Sequence, residues 1–133
     1  AVAPGGMREA LRPSSERYQI LWDKRIGFAR LACESETPIV LAVCPKADDI
    51  YDVYPNFLTS MFYQKFKLPI ALIRGLGPTL LPKPVQLTHF LSPPIYPPKL
   101  QEGLNHEAEI KKFHKQLIKK AQAMIGQAIF YRE

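Results

Sequence analysis

Apolar and polar positions alternate in two distinct rhythms along the chain. Residues 24–34 repeat apolar side chains at helical spacing. Trp22, Ile26, Ala29 and Cys33 fall on one face, and Phe28, Leu31 and Ala32 widen it. Thr37-Pro38 ends that pattern, because proline forces the residue before it away from helix. "PIVLAVCP", residues 38–45, is instead a short, unbroken apolar run rich in β-branched residues and bounded by prolines. Such a run predicts a strand buried on both faces, as in a parallel sheet. Val85–Leu91 alternates with period two and predicts another strand, followed by an extended "SPPIYPP".

The last third predicts the longest helix. Asn105 is its N-cap, and Glu107 and Glu109 lie in the first turns, where they complement the helix dipole. Ile110, Phe113, Leu117, Ala121, Met124 and Ala128 form its apolar stripe. Lys111, Lys112, Lys115, Lys119 and Lys120 lie off the stripe, either on a solvated face or toward an anionic membrane surface. "NFLTSMFYQKF" places Phe57, Leu58, Met61, Phe62 and Phe66 on one helical face, with Lys65 and Lys67 beside it. Two readings fit: an ordinary core helix or lid, and an interfacial helix touching lipid or acyl chains. Asp48–Pro55 reads as loop, and residues 68–84 as short strands and turns punctuated by glycine and proline. Ala1-Val2-Ala3 reads as the end of a buried strand stopped by Pro4-Gly5-Gly6. Residues 12–23 then form a connection whose second half, Tyr18 to Trp22, packs or forms a short strand. Strand, helix and strand in this order predict a βαβ unit with a right-handed crossover, and hence an α/β fold with a mostly parallel sheet flanked by helices.

Composition narrows the partners. The 133 residues suit one domain, and 47% hydrophobic content is enough for a core. No apolar run is long enough for a membrane-spanning helix. Eighteen basic against twelve acidic residues give +6, which favours anionic partners such as phosphates, coenzymes or acidic lipid. Nucleic acid is the least favoured of these, since no RNA-binding signature, helix-turn-helix pattern or arginine-rich run is present. Cys33 and Cys44 form no Cys-x-x-Cys pair, and His89, His106 and His114 are not spaced with them for metal binding. No metal and no resident cofactor is therefore expected, and two lone cysteines suit a reducing compartment.

"PGGMRE", residues 4–9, holds the candidate chemistry. Two glycines let the backbone approach a ligand closely, and exposed N–H groups there can face an anionic or carbonyl oxygen. Arg8 adds a forked donor for phosphate or carboxylate, and Glu9 can orient Arg8 or accept from a hydroxyl. A glycine turn beside a surface arginine accounts for the same residues equally well. The stretch is neither a P-loop nor a dinucleotide-binding fingerprint.

"APGGMREAL", "LWDKRIGFARLACESETPIVLAV" and "GLGPTLLPKPVQLTHFLSPPIYP", in that order, resemble the C-terminal half of the glycerolipid acyltransferase domain. This is the fold shared by 1-acylglycerol-3-phosphate acyltransferases. The likeness runs from Ala3 to about Gly126 and is greatest to the branch with a Pro-Gly-Gly-x-Arg-Glu-Ala block. Pro4, Gly6 and Arg8 match the family's third block, Phe-Pro-Glu-Gly-Thr-Arg-Ser, while Gly5 and Met7 replace its glutamate and threonine. The family's His-x-x-x-x-Asp motif is absent: Pro94, Lys111 and Lys119 stand five residues after the three histidines. In the family that histidine is the general base, oriented by the aspartate. Its place in the fold is upstream of Ala1.

The resemblance implies a partial acyltransferase domain over 1–133, lacking the catalytic motif and inactive by itself. The intact enzyme would move an acyl group from acyl-CoA or another thioester to a glycerolipid or lipid-alcohol hydroxyl. Pro4, Gly5, Gly6, Arg8 and Glu9 would bind the acceptor. Lys24, Arg25, Phe57 and Phe62 are candidates for donor or membrane contact. The expected place is a membrane surface on its cytoplasmic side. The alternative is a non-catalytic lipid-binding or membrane-docking module. A hydrolase-like α/β fragment is disfavoured by the lack of Gly-x-Ser-x-Gly.

Overall fold

A computed structural model describes residues 1–54, 72–100 and 105–130. Three α-helices are present among them: α1 (Gly6–Ala10), α2 (Gly27–Glu34) and α3 (His106–Phe130). Four short strands accompany them: β1 (Ala42–Val43), β2 (Asp52–Tyr54), β3 (Leu72–Arg74) and β4 (Phe90–Leu91). Single 3-10 turns span Ser14–Glu16 and Pro45–Asp49.

α2 and α3 follow the predicted pattern, whereas the short α1 was not predicted. Asn105 caps α3, its Oδ1 accepting from the Ala108 amide at 3.2 Å. Ile110, Phe113, Leu117, Ala121 and Ile125 are buried along α3, and the five lysines named above are exposed. α2 starts at Gly27, three residues later than the predicted start, and buries Ala29, Ala32 and Cys33 against α3. Trp22 and Phe28 meet edge to face at 5.2 Å, and Phe28 meets His114 at 5.6 Å. Gln122 on α3 clamps the preceding connection. Its Oε1 accepts from the Ile20 amide at 2.9 Å, and its Nε2 donates to the Tyr18 carbonyl at 2.7 Å. Arg30 on α2 pairs with Glu107 on α3 at 2.7 Å.

The sheet corrects the expected fold class. β1 pairs with β4 and β2 with β3, both antiparallel, so the described strands form two two-stranded ribbons rather than a mostly parallel sheet. No right-handed βαβ crossover is formed by these strands. The apolar run 38–45 misled because hydrophobicity fixes neither the partner nor its direction. Only one side of it is covered: Leu41 and Val43 are buried, while Val40 and Ala42 are exposed, as an antiparallel ribbon allows. Ile39 bridges Ile95, and Ala42 pairs with Leu91. The two pairs are three residues apart on one strand and four on the other, so Ser92-Pro93-Pro94 accommodates an extra residue. The buried Ser92 Oγ accepts from the Leu41 amide at 2.9 Å and repairs the ladder there. Within the predicted strand 85–91 only Phe90–Leu91 pairs, and His89 is exposed. Part of the predicted loop 48–55 is strand β2. Ala1–Ala3 is exposed and forms no strand. The helix predicted around Phe57–Phe66 lies outside the described residues.

His114 lies within α3's apolar stripe, 4% exposed, and its Nε2 has no hydrogen-bond partner among the described residues. Burial holds its pKa below the usual 6.5, so the folded state keeps the ring neutral. As pH falls through about 6.5, the unfolded chain takes a proton that the folded chain refuses, and stability drops until the folded pKa is passed. Thermal melts from neutral pH to about pH 5 should therefore show a falling midpoint, and His114→Leu should flatten that slope.

Candidate functional site

Pro4 and Gly5 make a turn closed by the Gly6 amide donating to the Ala3 carbonyl at 3.1 Å. Gly6 adopts φ +52°, a left-handed conformation that a β-carbon would strain, and from it the chain enters the single helical turn of α1. The sequence therefore places two glycines where one backbone reversal and one close contact occur. The close contact is at Gly5, which is buried. A β-carbon there would collide with the Glu9 side chain from its Cβ to its carboxylate.

The Glu9 carboxylate accepts from the Leu21 amide at 3.2 Å and from the Trp22 indole N–H at 3.3 Å. Glu9 thus ties α1 to the segment that leads into α2. The carboxylate beside Arg8 is Glu16. Arg8 Nη1 and Nη2 donate to its two oxygens at 2.7 and 3.2 Å, a fork-to-carboxylate pair. That hydrogen bond, with the charge of Arg8, holds the Glu16 carboxyl below the usual carboxylate range despite some opposing desolvation.

Arg25 reaches back to the same turn. Its Nη1 donates to the Pro4 carbonyl at 3.1 Å and also to the Gly5 carbonyl. Arg12 donates through Nε to the Glu9 carbonyl at 3.0 Å and through Nη1 to the Gln19 carbonyl. Arg25 thus holds the glycine turn by its carbonyls, while Arg8 binds Glu16 and Arg12 the Glu9 and Gln19 carbonyls. Spacing alone did not show that Arg25, twenty residues on, belongs to the turn. Lys24 is exposed, within the bend that the Arg25 amide closes by donating to the Trp22 carbonyl at 2.9 Å. Phe57 and Phe62 lie outside the described residues.

A second charged cluster packs the connection against β2. Asp52 is engaged by Lys83 at 2.7 Å, Arg17 at 2.8 Å and Arg74 at 3.4 Å. Hydrogen bonds from Lys83 and Arg17 lead in pulling its carboxyl down to about 2. Tyr18 Oη donates to Asp49 at 2.6 Å, and burial together with that bond pushes its pKa up to about 12. These contacts knit the 12–23 connection to residues 48–52, although the buried Arg17 Nε finds no hydrogen-bond partner among the described residues. Cys33 is 2% exposed, and burial, then the charge of Glu34, raises its thiol pKa, so it is a packing residue rather than a nucleophile. Among the described residues no cluster of histidine, cysteine or acidic groups is arranged to hold a metal. Nor is any helix among them long and apolar enough to cross a membrane.

No protein-family model matches the chain, and no solved structure matches it. Curated proteins do. A Mus musculus protein named "DGAT1/2-independent enzyme synthesizing storage lipids" is 36% identical over 102 residues, covering 75% of this chain and 29% of its own length. Proteins of the same name from Homo sapiens and Gallus gallus are 34% and 32% identical over the same length. The chain spans less than a third of the relatives it matches. It is thus similar to part of enzymes that make storage lipids.

Proposed function

We infer that this chain forms part of a lipid-synthesising O-acyltransferase. The intact enzyme transfers an acyl group from acyl-CoA, or another acyl thioester, to the hydroxyl of a glycerolipid or lipid alcohol. The observation that carries this reading is the likeness to storage-lipid enzymes over 75% of the chain. The Pro4–Gly6 turn, held by Arg25 and followed by Arg8, supports it. The chain's contribution is the acceptor side. The exposed Gly6 allows close approach, Arg8 carries a two-pronged donor that Glu16 holds in place, and Arg25 fixes the turn by its carbonyls. Acyl transfer also needs a base for the acceptor hydroxyl, and by the family resemblance that base belongs to a His-x-x-x-x-Asp motif outside this chain.

The test is direct. Full-length enzyme, given labelled acyl-CoA and a panel of lipid hydroxyls, should place the label in an ester lipid. Labelled fatty acid as the only product would overturn the reading. The Arg8–Glu16 pair further separates acceptor classes, since Glu16 occupies the fork that a phosphate monoester would use. If the acceptor is phosphorylated, Glu16→Gln should tighten its KM several-fold. If it is neutral, KM should stay unchanged.

A further inference from the structure

We propose that the Leu76–Leu81 turn is a membrane-docking element that seats this domain on an anionic lipid surface. The turn is built in the reverse sense of an ordinary surface loop. Its polar groups face one another: the Gly75 amide donates to the Thr79 carbonyl and the Leu76 amide to the Leu81 carbonyl, both at 2.8 Å. The Thr79 hydroxyl donates to the Leu76 carbonyl at 2.7 Å and accepts from the Leu81 amide at 3.2 Å. Its apolar groups face outward: Leu76, Leu80 and Leu81 are 54%, 73% and 63% exposed.

The shape is fixed. A β-carbon on Gly75 would strike the Leu81 carbonyl, and Gly77 takes φ +59°. The internal hydrogen bonds of the Gly75, Leu76, Thr79 and Leu81 amides lower the cost of leaving water, and three leucines gain by it. The flanks supply the charge match. Arg74, 54% exposed, lies 5.7 Å from the centre of the half-exposed Tyr54 ring, and Lys83 follows the turn; both pair with Asp52, which Arg17 also engages, so the cations outnumber the carboxylate they share. Exposed leucines beside an arginine, a lysine and a tyrosine suit the boundary between headgroups and acyl chains. The choice of a lipid occupant rests on the lipid-synthesis reading, whereas the turn's geometry does not.

The experiment is flotation of the 133-residue chain with vesicles of phosphatidylcholine, alone and mixed with phosphatidylserine. The chain should float with the mixed vesicles. Leu80→Ser/Leu81→Ser should reduce the bound fraction about tenfold or more while leaving the thermal midpoint unchanged, because both side chains are exposed. The fluorescence added by Leu80→Trp should be quenched by brominated acyl chains. Flotation unaffected by the serine pair, absence of flotation, or added fluorescence left unquenched in the bound protein would each overturn the proposal. Lipid-free self-association abolished by the serine pair would likewise overturn it, in favour of contact between copies. Acyl-transfer assays on the full-length enzyme read the catalytic proposal separately, so either can fail alone.

Discussion

Gly5→Ala is expected to destabilise the chain by about 3 kcal/mol, far more than a glycine-to-alanine change in an ordinary turn. The reason is a single buried contact. A methyl group at residue 5 would overlap the Glu9 side chain along most of its length, including its Cβ, so rotating the carboxylate away cannot relieve the clash. The helical turn itself must shift, and Glu9 then loses the Leu21 amide and the Trp22 indole. Each of these donors is left without its partner. Chemical denaturation of Gly5→Ala, Glu9→Ala and the double variant checks the cause. The double variant should be little worse than the worse single one, because the same pair of hydrogen bonds is lost in both. Additive losses would mean that Gly5 matters for a reason other than Glu9. The same contact bears on the resemblance to the glycerolipid acyltransferases. A glutamate at residue 5, as their third block has, would occupy space that Glu9 fills here.

Leu117→Ala should cost about 3 kcal/mol and lower the thermal midpoint by about 10 °C. Leu117 is fully buried at the centre of α3, in one cluster with Ala29, Cys33, Phe113 and Ala121, so its removal leaves a cavity between α2 and α3. That is a large share of the roughly 5–15 kcal/mol that holds a domain of this size together. Leu31→Ala, at a position 62% exposed on α2, should change stability by no more than about 0.5 kcal/mol. Equal effects at the two sites would show that α2 and α3 do not pack as described.

α2 and α3 were legible because their signals are local. Asn105 and the two following glutamates mark the start of α3, and the apolar stripe repeats every three or four residues through Ala121. His114 broke the pattern only in chemistry: its position lies on the buried face, yet a histidine gives no local sign of burial. The sheets were not legible, because pairing is a long-range fact. Residues 38–45 read as a strand buried on both sides, but their partner is 90–95, and two prolines with a buried serine set that ladder. The site divides in the same way. Pro4, Gly5, Gly6 and Arg8 stood out as one motif. That Glu16 would pair with Arg8, Arg25 cap the turn and Glu9 face Trp22 depends on contacts across eight to twenty-one residues of chain.

Arg8 gives the most direct test of the claim that this chain supplies the acceptor side of a lipid acyltransferase. Steady-state transfer from acyl-CoA by the full-length enzyme should be compared for the wild type and Arg8→Ala, varying donor and acceptor separately. The acceptor's kcat/KM should fall about tenfold or more while KM for acyl-CoA is unchanged. Unchanged acceptor kinetics, or a loss confined to acyl-CoA, would contradict it.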